Sequence, residues 1–74
     1  MTRFPVVKPR EAIKAFKKIG FVVDRVSGSH YILYKSSGRI RVSIPFHNRP
    51  IKRKTLKGII KDAEITVEEF RKLL

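Results

Sequence analysis

The sequence contains no cysteine and no tryptophan, and it has only 6 acidic residues among 74. Without cysteine the chain has no disulfide and no thiolate nucleophile, and its 2 histidines are too few ligands for a structural zinc site. The longest apolar runs, residues 21–23 and 31–34, fall far below the roughly 20 residues of a membrane helix. These absences exclude a disulfide scaffold, a structural zinc domain and a membrane span, and we expect no metal and no other cofactor.

The start of the chain, residues 1–5, lacks the apolar segment of a secretory signal. Together with the absence of cysteine, this favours a cytoplasmic protein. Hydrophobic residues make up 42% of the chain, which is enough for one core and too many for a disordered basic tail. We therefore expect a single domain over residues 1–74, to which a partner chain could add the stability that so small a core lacks.

Positive charge dominates, because 18 Lys and Arg residues against 6 Asp and Glu give a formal net charge of +12. All but two of these cations lie in residues 1–61, where Glu11 and Asp24 are the only acids. Such a field attracts polyanions and speeds their encounter with the protein. Nucleic acid, an acidic protein and an anionic membrane are the candidate partners, and the charge favours nucleic acid.

Helical patterns flank the centre of the chain. Pro9 suits a first helical position and starts an amphipathic pattern over residues 9–19, whose lysines form either a solvated face or phosphate contacts. Thr55 is the predicted N-cap of a second helix. Thr66 and Glu69 have the spacing of a capping box, which predicts a short third helix at the C-terminus.

Between these helices, β-branched and aromatic residues form three short segments separated by Ser- and Gly-rich turns. The third segment alternates apolar and basic residues, so that one face is apolar. This pattern predicts an antiparallel three-stranded meander and an α+β fold of order α-β-β-β-α with a short C-terminal helix. The predicted strands are residues 21–26, 30–35 and 39–44.

The register between the second and third strands decides on which face His30 lies. If residues 36–38 form a three-residue loop, His30 opposes Ile44 and shares the helix-facing side at the end of the sheet. Pro45 cannot donate to a ladder and should end the third strand. The following loop would then bring His47 to the same end, so that the two histidines could be neighbours.

The only grouping of candidate catalytic residues is Gly28-Ser29-His30 with Pro45-Phe46-His47. Two acids in residues 1–61 are too few for a two-metal nuclease, and no P-loop is present. A histidine among cations can act as general base on the 2′-hydroxyl of RNA, which DNA lacks, so RNA is the favoured substrate. The alternative is that His30 is a hydrogen-bonded polar residue capping the sheet.

Six short elements stand in order within residues 12–73: Gly20-Phe21, Arg25, Gly28–His30, Ile44–His47, Thr55–Ala63 and Glu69–Phe70. In order and spacing they resemble the HicA family of toxins. The resemblance implies a double-stranded-RNA-binding-like fold and an mRNA interferase, an endoribonuclease that cleaves mRNA and arrests translation. It also implies His30 as the catalytic residue and neutralisation by a HicB-type antitoxin, which the charge of this chain predicts to be acidic.

The sequence departs from the family pattern at two positions. Lys54 stands where a glycine commonly precedes the Thr-Leu pair, and Glu64 stands where a glycine commonly ends the helix. The second change predicts a side chain in a left-handed backbone conformation, at a cost of roughly 1 kcal/mol. Neither change touches the histidine motif.

Cations near the start of the second helix are candidate phosphate ligands, because a helix N-terminus adds partial positive charge. Solvation without contact is the alternative for each of them, above all for the two arginines of the third strand. His47 could act as an acid, bind phosphate or fix its loop by a hydrogen bond, and Ser29 is either a supporting residue or an ordinary turn residue. The candidate RNA-binding cations are Lys52, Arg53, Lys54, Lys57, Arg39 and Arg41.

Two other functions fit parts of the sequence. A non-catalytic double-stranded-RNA-binding module of the same fold would bind RNA without cleaving it. A DNA-binding helix-turn-helix in residues 55–74 is disfavoured, because Glu68 and Glu69 lie in the would-be recognition helix. We therefore expect no direct DNA binding.

Overall fold

The computed structural model describes residues 4–74. Three antiparallel strands form one sheet in the order β1-β2-β3, which confirms the α+β, α-β-β-β-α architecture with a short C-terminal helix. Within the described residues, no helix is both long and apolar enough to span a bilayer. The elements are α1 (Pro9–Lys17), β1 (Val22–Ser27), β2 (His30–Lys35), β3 (Ile40–Pro45), α2 (Arg53–Asp62) and α3 (Val67–Leu73).

The hydrophobic core lies between one face of the sheet and the helices. α1 and α2 both pack against β3, and α3 packs against α1 and α2. Phe16 of α1 is fully buried, and its ring centroid lies 5.4 Å from that of Phe21 and 5.2 Å from that of Phe70. Leu33 and Ile44 complete the sheet side of this core. The other face of the sheet, which we call the open face, is not covered by these helices.

The register between β2 and β3 differs from the prediction by one residue. The turn spans four residues, 36–39, and the pairs are Leu33 with Val42 and His30 with Pro45, so the predicted pairing of His30 with Ile44 is wrong. Because side chains alternate along a strand, His30 lies on the open face and not on the helix-facing side. The observed register buries Leu33 and exposes His30, whereas the predicted one would have done the reverse.

The extra turn residue is Arg39, which adopts a left-handed conformation with φ of 52°. Its backbone N–H donates to the carbonyl oxygen of Ser36 at 3.3 Å and so closes the turn. A non-glycine residue rarely occupies this region, so no local pattern predicted that Arg39 would lie in the turn. Glu64 is also left-handed, with φ of 59°, which confirms the conformation predicted for the end of α2.

α2 begins three residues earlier than predicted. The N-cap is Lys52, so Thr55 lies inside the first turn and caps nothing, and the prediction that it starts the helix is wrong. The reason is tertiary, because buried Ile51 donates its backbone N–H to the carbonyl oxygen of Val7 at 2.7 Å. This bond anchors the chain to the segment before α1, and the helix starts directly after it.

An irregularity in β1 interrupts its pairing with β2. Val23 pairs with Leu33 and Arg25 pairs with Ile32, so Asp24 has no partner in the ladder and forms a β-bulge. The carboxylate of Asp24 instead accepts a hydrogen bond from Nη1 of Arg41 at 2.8 Å. The bulge therefore links the two outer strands across the open face.

The capping box predicted for α3 is confirmed and allows a matched test. Thr66 Oγ1 accepts the N–H of Glu69 at 3.1 Å, and Glu69 Oε1 accepts the N–H of Thr66 at 2.9 Å. Thr66→Ala should lower the free energy of unfolding by about 1 kcal/mol, because one helix N–H loses its partner. Thr55→Ala, at a threonine that caps nothing, should change it by less than about 0.5 kcal/mol. Urea unfolding of both variants checks this, and equal losses would contradict it.

Candidate active site

His30 is positioned by the turn between β1 and β2. Gly28 has φ of 57°, which glycine adopts at no steric cost, and the turn of Gly28 and Ser29 brings Ser27 opposite His30. The backbone N–H of Phe46 donates to the carbonyl oxygen of Ser29 at 2.6 Å. This bond holds the loop after β3 against the turn that carries His30, and together they form the end of the sheet.

The imidazole of His30 is exposed on the open face. It makes no hydrogen bond with any side chain or backbone group of residues 4–74. A polar residue that caps the sheet would be bonded, so the structure does not support that alternative. The side chain is therefore open to solvent and to a ligand, which is the arrangement that proton transfer to or from a bound substrate needs.

His47 lies in the loop that follows β3, two residues after the Pro45 that pairs with His30. Its Nδ1 accepts the backbone N–H of Arg49 at 3.3 Å, so it has the loop-fixing bond that was one of its three predicted roles. Its side chain, with Lys8 and Arg10, lines a cavity of about 350 Å³ beside the start of α1. The structure thus brings His30 and His47 to the same end of the sheet.

Arg41 is the predicted cation that shares the open face with His30, but two neighbours already engage it. Its guanidinium pairs with Asp24 at 2.8 Å and lies 4.9 Å from the ring centroid of Tyr34. An exposed ion pair of this kind is weak and can open for a ligand. In the free protein, however, Arg41 contributes little unpaired charge to this face.

The remaining predicted cations lie away from His30. Arg39 is in the turn at the opposite end of β2, about 16 Å along the strand at 3.3 Å per residue. The α2 residues are exposed, but α2 packs on the covered side of the sheet, whereas His30 lies on the open side. Arg53 also stacks its guanidinium 5.3 Å from the ring centroid of Phe4. The residues placed on or just before α2 are Lys52, Arg53, Lys54 and Lys57.

Lysines of α1, which were predicted either to be solvated or to contact phosphates, lie near this end of the sheet together with Arg10, which was not predicted as a contact. Arg10, Lys14 and Lys17 of α1 line a cavity of about 320 Å³ together with Tyr31 and Phe46. The helical pattern indicated a basic face on this helix. It held no signal that the two aromatic residues would lie beside that face, because this depends on how α1 crosses the sheet.

A comparison with protein families identifies the family of this chain. The family model described as the HicA toxin of bacterial toxin-antitoxin matches residues 9–65, which is more than half of the chain and includes both histidines. A comparison with curated proteins finds no match. The matched segment runs from the first residue of α1 to just beyond the left-handed turn after α2. The chain therefore belongs to the HicA family of toxins, whose partners in general are antitoxins.

Proposed function

We propose that this protein is a metal-independent endoribonuclease that cleaves mRNA and thereby arrests translation. The observation that carries the proposal is the imidazole of His30, which is exposed at the end of the sheet and makes no hydrogen bond with residues 4–74, in a chain of net charge +12. The positive field concentrates RNA at the surface. An imidazole gains and loses a proton near neutral pH, so it suits the proton transfers of phosphodiester cleavage.

His30 acts in this proposal as general base on the substrate. It takes the proton of a 2′-hydroxyl, the 2′-oxygen forms a bond to the adjacent phosphorus, and the bond from phosphorus to the 5′-oxygen breaks. The leaving oxygen receives a proton from the imidazolium, from His47 or from water. The products are a 2′,3′-cyclic phosphate and a 5′-hydroxyl, so the reaction balances without a metal or other co-reactant.

The other residues have supporting roles. Ser29 and His47 lie at the same end of the sheet, and we assign to them the binding or orientation of the reacting phosphate. Arg41 can supply charge on the open face once the substrate competes with Asp24 for its guanidinium. We assign the more distant cations to the capture of RNA through the overall field. They are Arg39, Lys52, Arg53, Lys54 and Lys57.

The test of this chemistry is cleavage of a single-site RNA in excess EDTA, compared with the same RNA carrying one 2′-deoxynucleotide at the cut position. Only the first RNA should be cut, and its fragments should carry a cyclic phosphate and a 5′-hydroxyl. Cleavage of both RNAs would refute the role of the 2′-hydroxyl. Binding of both without cleavage would instead support the alternative, a non-catalytic double-stranded-RNA-binding module.

We also propose that the antitoxin is an acidic protein of the HicB type, because a toxin of net charge +12 presents an extended basic surface. Stoichiometric antitoxin should abolish the cleavage measured above and raise the thermal midpoint of the toxin. Polyglutamate of equal total charge is the control for charge alone. Equal inhibition by both would mean that no specific complex forms.

A further inference from the structure

A groove runs along α1 beside the end of the sheet that carries His30. Arg10, Lys14 and Lys17 form its helical wall, and Tyr31 and Phe46 lie opposite them. We call this surface the α1 groove. Its cavity has a volume of about 320 Å³ and is open to solvent along the helix.

The cations of the α1 groove form a row. Arg10, Lys14 and Lys17 are spaced by four and three residues, which places them on one side of the helix over about 10 Å at 1.5 Å per residue. The one acid of α1, Glu11, accepts the backbone N–H of Lys8 at 2.8 Å and so completes the helix start. The row is therefore arranged to meet several negative charges in succession, as on a nucleic-acid backbone.

The aromatic wall adds a different chemistry. The rings of Tyr31 and Phe46 stack with centroids 4.7 Å apart and an interplanar angle of 29°, and both residues are only partly buried. Aromatic rings beside a row of cations are typical of surfaces that bind single strands, because unpaired bases stack on the rings while cations follow the phosphates. Bases in a duplex are already stacked and paired, so the rings favour single-stranded RNA.

The α1 groove is continuous with the proposed active site through the backbone. Tyr31 directly follows His30 in β2, and the residue before His30 accepts the N–H of Phe46. His30 and Tyr31 therefore extend from opposite faces of the same strand end. A strand of RNA that passes around this end can place a phosphodiester at His30 and its neighbouring nucleotides in the groove.

The open face is less suited to binding RNA than the α1 groove. Its Arg41 is paired with Asp24 and lies over Tyr34, so charge and ring are already engaged. The α1 groove combines three cations with two aromatic rings and has no acid among its lining residues.

We propose that the α1 groove binds the unpaired nucleotides that adjoin the bond cut at His30, and that it gives the enzyme its preference for single-stranded RNA. This inference rests on the proposed ribonuclease function for its choice of ligand. Arg10, Lys14 and Lys17 bind phosphates, and the Tyr31–Phe46 pair receives a base.

Binding in the His30→Ala background tests the groove without cleavage. Fluorescence anisotropy of a labelled single-stranded 12-mer gives the affinity over a range of salt concentrations. Lys14→Glu with Lys17→Glu should weaken binding at least tenfold and lower the slope of log affinity against log salt by about 1.4, the value for two single-strand phosphate contacts. The matched control, Lys61→Glu with Lys72→Glu, makes the same charge change on α2 and α3 and should weaken binding less than threefold.

Equal losses in the two charge-reversed pairs would mean that only the net charge matters and would overturn the inference. No loss in the groove pair would also overturn it. If the groove variants lose binding while His30→Ala still cleaves RNA, the groove binds RNA but His30 is not the catalytic residue. If His30→Ala is inactive while the groove pair binds normally, His30 is catalytic but the groove does not bind RNA.

A second variant tests the aromatic wall. Tyr31→Leu keeps apolar bulk beside Phe46 but removes a ring, so single-stranded RNA should bind about tenfold more weakly while a duplex of the same length is unaffected. Phe46→Leu makes the same test if circular dichroism shows that the first variant does not fold. Wild-type protein that binds the duplex as tightly as the single strand would overturn the assigned preference.

Discussion

His30→Ala is expected to lower the rate of RNA cleavage by about 10²- to 10⁴-fold, which is the usual contribution of a positioned general base. The fold should be unaffected, because the side chain is exposed and bonds to none of residues 4–74. We expect the free energy of unfolding to change by less than about 0.5 kcal/mol. The measurements are the single-turnover cleavage rate and the urea midpoint of the same preparation.

Ser43→Ala is the matched control for this variant. Ser43 is exposed on the same face of the sheet and pairs with Ile32, two residues from His30. Loss of the Ser43 hydroxyl should leave the cleavage rate within about twofold of the wild-type rate, because the variant changes the local surface but keeps the imidazole that accepts the proton. Equal rates for wild type and His30→Ala would place the general base elsewhere in the chain.

Phe16→Ala is expected to leave the chain largely unfolded at 25 °C. The ring is fully buried and contacts both Phe21 and Phe70, so its loss removes the contact that joins α1 to the start of β1 and to α3. Truncation of a buried phenylalanine costs about 3–5 kcal/mol. A core in a chain of this length rarely supplies more than about 3–5 kcal/mol in total, so little stability remains.

Far-UV circular dichroism and thermal melting measure this loss, with Val22→Ala as the control. Val22 is 59% exposed on the open face, and its truncation should cost less than about 0.5 kcal/mol. A cooperative transition in Phe16→Ala within about 1.5 kcal/mol of the wild type would contradict the central position given to this ring.

The order of the elements was predictable because it depends on local patterns. Pro9 at the helix start and the Thr66–Glu69 box are signals that act within a few residues, and the structure confirms both. The register was not predictable, because it depends on Arg39 adopting a conformation that favours glycine. The start of α2 depends on a bond between Ile51 and Val7, which are distant in the sequence.

The candidate site was likewise predictable only in part. The convergence of His30 and His47 follows from antiparallel strands joined by short turns, which the sequence indicated. The face on which His30 lies could be predicted only with the correct register. The position of the α2 cations on the other side of the sheet, and the contact of the α1 cations with two aromatic residues, follow from how the helices pack on the sheet. Such packing has no signature within a short stretch of sequence.

The bulge at Asp24 has a consequence for solubility. A three-stranded open sheet ends in two strands whose outer backbone groups can pair with another molecule, which is a common start of aggregation. In β1 the bulge disturbs the regular spacing of those groups, and Arg25 adds a charge beside it. A second copy approaching this strand would meet a bent backbone and a like charge. The protein can therefore expose Val22 and Val26 on β1 without offering a template for fibre growth.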